Sequence, residues 1–321
     1  MLAQTSATNR TALIGYLMVF CAALSFSLIG PITRYPLSQG VSPIECAFWR
    51  ALFGGIFFVI HGMLIGAWRI TPKQRAVFSL FGIPGVGILF FTYMFAVQEA
   101  GAATTSVLNN TAPIWVAIWS YLFFKEAMSG SKIFAIFLAI VGAGMIALSG
   151  GGLPEGGSLI GIIAALGSGF LFSLHSFVGK KYLSANVSAV SLYMHILPVG
   201  ALCMFPFVTF MPGKTWEVWV SLGALGLICN WLAYLCFCAG LKRLPATRVS
   251  VFETASEPFL AAVFAFIWWG EAFTAMGGLG AVLVIGAVVM IISIKDKKVL
   301  PGKKPVDQTS PQGAEAGCKT V

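Results

Sequence analysis

Along most of the chain, apolar residues run on without the strict two-residue alternation of a half-buried strand. The runs are about 18 to 24 residues long, the length a helix needs to cross roughly 30 Å of hydrocarbon. They predict ten membrane-spanning helices, at residues 13–31, 44–66, 76–97, 102–124, 133–149, 158–178, 187–210, 217–240, 247–269 and 275–294. The expected fold class is an all-α integral membrane protein; a β-barrel is disfavoured because its strands would alternate. Residues 1–12 read as a short N-terminal segment. Residues 295–321 are polar and rich in Lys, Pro and Gly, and are expected to be a disordered basic tail. The first apolar run, after Arg10, could pass for a signal peptide. Its partner in the repeat described next lies mid-chain, so it is kept as a structural helix.

The chain says nearly the same thing twice. FSLIGPITRYPLSQGVS at 26–42 returns as FSLHSFVGKKYLSANVS at 172–188, an offset of 146 residues. At an offset of 145, Pro113 pairs with Pro258, and Glu126-Ala127 of FFKEA with Glu271-Ala272 of WWGEA. Two separated matches in almost one register indicate a duplicated half, 13–149 and 158–294. Five helices per copy is an odd number, so the second copy is expected to enter the membrane the opposite way round. Inverted repeats of this kind let two packings exchange, opening a site first to one side and then to the other.

Composition sharpens this picture. Of 321 residues, 58% are hydrophobic and only 10% charged, against roughly 25% charged in soluble domains. The net charge of +9 would suit nucleic acid, but its placement argues otherwise. With the N-terminus cytoplasmic, Arg10, Arg69, Lys73, Arg75, Lys125, Lys132, Lys180, Lys181, Lys242, Arg243, Arg248 and the tail lysines fall inside, leaving Arg34 and Lys214 outside. This is the positive-inside bias, with both termini cytoplasmic in a plasma (inner) membrane. No nucleic-acid partner is expected; the lipid bilayer is. The seven cysteines lack metal-ligand spacing, and no phosphate-binding loop or nucleophile elbow occurs, so no cofactor, metal or catalytic residue is expected.

The duplicated five-helix unit, the proline midway along the fourth helix of each half, the Gly-Glu of WWGEA and the Glu-Pro of SEPF together resemble the drug/metabolite transporter superfamily, in its EamA-like branch. The resemblance covers residues 13–294. The first half departs from it, with Lys-Glu in FFKEA and Thr-Ala-Pro before the helix-four proline. The resemblance implies a monomeric or homodimeric carrier of small organic molecules, more often an exporter.

A repeat also sorts residues: polar groups present in one half only are the better site candidates. Glu253 and Glu257 have Leu108 and Ala112 as their counterparts in the other half, at an offset of 145. An acidic group within a span costs about 2.5 to 3.5 kcal/mol on insertion scales, and at i and i+4 these two share one helix face. Two carboxylates so close in a low dielectric cannot both ionise cheaply, which makes them a candidate proton relay or a site for a cationic group. The alternative is structural glue. Arg50, whose counterpart is Ile196, is their obvious partner or a bidentate holder of a substrate carboxylate. Glu45 could attract solutes at the mouth, with Trp49 on its face. Pro113 and Pro258 are helix kinks that free the carbonyls of Asn109 and Thr254, to be satisfied by packing or by a ligand. Asn109, Asn110, Trp115, Trp119 and Tyr234 are further candidates for the cavity wall, while Asn230 reads as interhelical glue. His61, His175 and His195, scattered singly, read as structural. Glycines 142, 144, 280 and 286 suit close packing of helices five and ten.

These readings point to a secondary transporter, not an enzyme, for a small zwitterionic or cationic metabolite of the amino-acid or amine type. It would work by alternating access and be coupled to protons through Glu253 and Glu257. The alternative is a membrane scaffold or a lipid-handling membrane enzyme that translocates no solute.

Overall fold

The structure, a computed structural model, describes residues 2–100, 102–149, 158–185, 187–270 and 274–294. Helices begin where the sequence supplies caps. Ser42 accepts from the Glu45 amide and Pro43 opens α2; Thr71 and Gln74 form a capping box ahead of Pro72 and α3; Ser188 and Thr274 cap α7 and α10. In chain order the helices are α1 (Leu2–Ser27, resumed as Ile29–Ser38), α2 (Pro43–Leu64), α3 (Pro72–Gly82, through Ile83–Ile88, to Leu89–Ala100), α4 (Ala102–Asn109, then Ala112–Phe124), α5 (Gly130–Ser149), α6 (Leu159–Ser184), α7 (Ala189–Met204), α8 (Trp216–Gly226, through Leu227–Leu232, to Ala233–Arg243), α9 (Ala246–Trp269) and α10 (Ala275–Ser293). No strand occurs among the described residues.

Eight of these helices, α1–α3 and α6–α10, are long and apolar enough to cross a membrane. The apolar part of α5, Gly130–Ile146, is shorter, and α4 is in two pieces. Several helices outrun the expected spans. The first continues through PITRYPLS to Ser38, with an interruption at Leu28 that relieves the clash Pro31 would otherwise have with the carbonyl four residues back.

The pairings of helices treat the two halves alike. Exchanging each helix for the one five places along preserves most of the main contacts: α1 packs on α8 and α9 as α6 packs on α3 and α4, while α2·α7, α4·α9 and α5·α10 pair with themselves; α5·α9 and α6·α8 have no comparable counterpart. Both α3 and α8 pass through a π-helical stretch, Ile83–Ile88 and Leu227–Leu232, 144 residues apart in sequence. At the α5–α10 contact a Cβ on Gly142 would lie 2.8 Å from the Gly280 carbonyl, and one on Gly280 2.7 Å from that of Gly142. The expected close glycine packing therefore holds for this pair. Gly144 instead meets Val107 at ordinary distance, and Gly286 meets open space.

The two ends of the bundle are fastened differently. At one end, Glu126 accepts from the Ala246 amide and the Thr247 hydroxyl, both at 2.9 Å, and Lys180 donates to the carbonyls of Leu241 and Leu244 that end α8. There too Arg248 donates to the Ile294 carbonyl and to Tyr16, and Ser191 donates to the Ala67 carbonyl at 2.7 Å. At the other end a single ion pair dominates. Glu45, wholly buried, meets Lys214 Nζ at 2.6 Å, and its carboxylate also accepts from the Met211 amide and the Trp49 indole. Around it pack Phe48, Trp49, Phe53, Phe210 and Trp219. Glu45 is thus fully engaged rather than standing at a mouth. The six described cysteines are free thiols; Glu271, Ala272, Cys318 and the tail lie outside the described residues.

Candidate functional site

Helix α9 runs unbroken through Pro258 and carries two carboxyl groups inward, Glu257 being the less buried of the two. Glu253 is wholly buried; one oxygen accepts from the Thr254 hydroxyl at 3.2 Å, and the other has no partner. Its charge and that of Glu257 act on each other, and Arg50 acts on Glu257. No salt bridge within 4.0 Å joins Arg50 to either carboxylate among the described residues.

Arg50 is held from α8 instead. Its Nε donates to Asn230 Oδ1 at 2.8 Å, and Asn230 Nδ2 donates back to the Arg50 carbonyl at 2.9 Å. The guanidinium lies over the Phe90 ring, 4.9 Å from its centroid. The amide reaches Arg50 because α2 presents Gly54 opposite it: a Cβ there would sit 2.6 Å from Asn230 Cβ. Asn230 and Phe90 thus bring α8 and α3 onto Arg50 of α2.

Beside it lies an aromatic stack. Tyr234 sits on Tyr193 with centroids 4.2 Å apart, and His175 stacks on both rings. His175 Nε2 faces the Gly85 carbonyl at 2.5 Å. A carbonyl only accepts, so Nε2 carries the proton and Nδ1 accepts from the Tyr193 hydroxyl at 3.2 Å. His175 is the satisfied structural histidine expected from its isolation in the sequence.

The predicted site residues therefore fall into three places. Arg50, Tyr234, Glu253, Thr254 and Glu257 come together at the centre. Asn109, Asn110 and Trp115 lie on α4, towards α6. Asn109 accepts from the Ser168 hydroxyl at 3.1 Å and Trp115 packs edge-on against Phe170, while Asn110 Nδ2 and Trp115 Nε1 are buried with no partner. Trp49 is at the Glu45–Lys214 end. Pro113 does more than kink: α4 stops at Asn109 and restarts at Ala112 with Pro113 in its first turn. The freed Asn109 carbonyl faces Gly169 of α6, where a Cβ would come within 2.9 Å. Sequence reasoning missed Phe90, Tyr93, Tyr193 and the clasp of Asn230 on Arg50. The only available signal was that Asn230, like Arg50, is polar in one half alone.

The sequence model of the EamA-like transporter family matches residues 13–148 and again 159–293. The chain belongs to the EamA-like transporter family. Relatives include an uncharacterized transporter of Archaeoglobus fulgidus, 26% identical over 74% of this chain and 85% of that protein. The uncharacterized transporter YdfC of Bacillus subtilis is 24% identical over 78% and 82%. The uncharacterized inner membrane transporter YicL of Salmonella typhimurium is 22% identical over 86% and 94%. A solved crystal structure superposes with a TM-score of 0.73 at 20% identity, over 86% of this chain and 95% of that one; that likeness bears on the fold alone. This EamA-like protein is accordingly an all-helical integral membrane protein built from two copies of the family's repeat, and its relatives bear the names of transporters.

Proposed function

We propose that this EamA-like protein is a secondary carrier that moves a small zwitterionic or cationic metabolite, of the amino-acid or amine type, by alternating access coupled to protons. The observation that carries the reading is that Arg50 lies within electrostatic reach of Glu257, one turn from Glu253, with no salt bridge between them: charges of opposite sign supplied by opposite halves of a duplicated chain. A substrate carboxylate suits the guanidinium and an ammonium group suits the carboxylates. The unpartnered oxygen of Glu253 is a place for a proton or a donor. The self-mapping pairings of α2·α7, α4·α9 and α5·α10 support ten crossings in two inverted halves. The gathering of Lys180, Arg248 and their neighbours at one end supports cytoplasmic termini in an inner membrane. Export is the expected direction, and a monomer or a homodimer would serve.

The test is transport by purified protein in liposomes against a panel of amino acids and amines, with and without an imposed pH gradient. Saturable, protein-dependent flux that responds to the gradient is expected. If no solute moves, the reading fails in favour of a scaffold or lipid-handling role.

A further inference from the structure

The two π-helical stretches are a shared feature of the halves, but they present different groups. Ile83–Ile88 turns the Gly85 carbonyl toward His175 on α6, whereas Leu227–Leu232 turns the Asn230 side chain toward Arg50 on α2. A π turn, widened by one residue, commonly marks a functional site in a helix. Asn230 is wholly buried and spends both ends of its amide on one residue, its oxygen on Nε and its nitrogen on the Arg50 carbonyl. With Nε tied down and the guanidinium face laid over Phe90, the arginine keeps little rotational freedom. The edge bearing its two terminal amino groups makes no hydrogen bond or ion pair with the described residues. That edge has the geometry to take both oxygens of a carboxylate.

We infer that Asn230 is a positioning residue: it fixes Arg50 so that its terminal amino edge receives the carboxylate of the transported solute. The inference rests on the carrier function proposed above, and deepens it by making the carboxylate a recognised group. An arginine held this way loses little freedom when an anion binds, so the clasp contributes to affinity without touching the solute. Because Asn230 acts through Arg50, the two should not behave as independent sites.

The experiment has two arms. In the first, protein labelled with 15N at arginine is examined in detergent by NMR, the Arg50 Nε–H signal being assigned by its loss in Arg50→Lys. Slow solvent exchange of that proton is expected, rising about tenfold or more in Asn230→Ala; an unchanged exchange rate would overturn the clasp. In the second, liposomes are given histidine with histamine, lysine with cadaverine, and leucine with isoamylamine. Asn230→Ala should raise KM for the carboxylate member by about tenfold, with maximal flux and the KM of the amine within about twofold. Added to Arg50→Lys, it should cost nothing further. An equal effect on both members, or additive losses, would show Asn230 to be structural only and defeat the inference. If the wild type moves none of the six solutes, the carrier reading fails instead, and a protected Nε–H would then mark the clasp as packing, which also counts against the positioning role.

Discussion

Helices α4 and α9 occupy equivalent places in the two halves and carry their prolines 145 residues apart, yet the same residue produces opposite results. In α4 the helix breaks, so Pro113 sits harmlessly in a first turn where its missing amide is not needed. In α9 the helix continues through Pro258, and the carbonyl of Thr254 is left to other partners. The difference follows from the residues before each proline. Asn109, Asn110 and Thr111 can satisfy an interrupted backbone locally, as the 2.6 Å bond from the Thr111 hydroxyl to the Leu108 carbonyl illustrates. Glu253 and Glu257 of α9 are instead placed on one face of an uninterrupted helix. Duplication supplied the scaffold, and divergence made one copy neutral and interrupted and the other acidic and uninterrupted.

The largest effect that would break this contrast lies in the carboxylates. Glu253→Gln together with Glu257→Gln should abolish the pH dependence of flux and lower coupled transport by about tenfold or more. Asn109→Ala should leave the pH profile unaltered and alter flux by only a few-fold. If the acidic pair can be neutralised with an unchanged pH profile, the carboxylates are structural glue and the contrast carries no mechanism. Second in size is the seat of the α4 break. Gly169→Val would thrust a side chain against the Asn109 carbonyl, and a loss of about 1 to 3 kcal/mol is expected in thermal unfolding. Gly167, on the same helix but facing open space, should accept valine at a small fraction of that cost. Smallest is the proline comparison, read by melting temperature. Pro258→Ala should raise it by several degrees by restoring an interior hydrogen bond, whereas Pro113→Ala should change it by about a degree or less. Equal responses would mean that the two prolines serve alike.

Much of the fold was legible because a membrane span announces itself by length and composition, and because a duplicated chain repeats its landmarks. The pairing of Glu253 and Glu257 on one face was legible for the same local reason, a four-residue spacing. What remained hidden was long-range. Asn230 lies 180 residues from Arg50 and Lys214 lies 169 from Glu45, and no local pattern ties either pair together. Helix packing alone brings them into contact. The π stretches were hidden for another reason: IPGVGI and LICNWL share no residue pattern, so only their matching positions betray them. The break in α4 was half legible, since a proline after Asn-Asn-Thr marks disturbance but not whether the rod bends or stops.

The Glu45–Lys214 pair has a consequence for time rather than for place. Its carboxylate is wholly buried and the lysine side chain 4% exposed, and parting such a pair without new partners costs about 3 to 5 kcal/mol. Any conformer in which α2 and the α7–α8 loop separate at that end is therefore rare, by a factor on the order of a hundred to several thousand, unless something arrives to hold the charges. If the carrier cycles as proposed, how often that end stands open depends in part on this one pair, and a solute or proton able to take over either charge would raise that fraction.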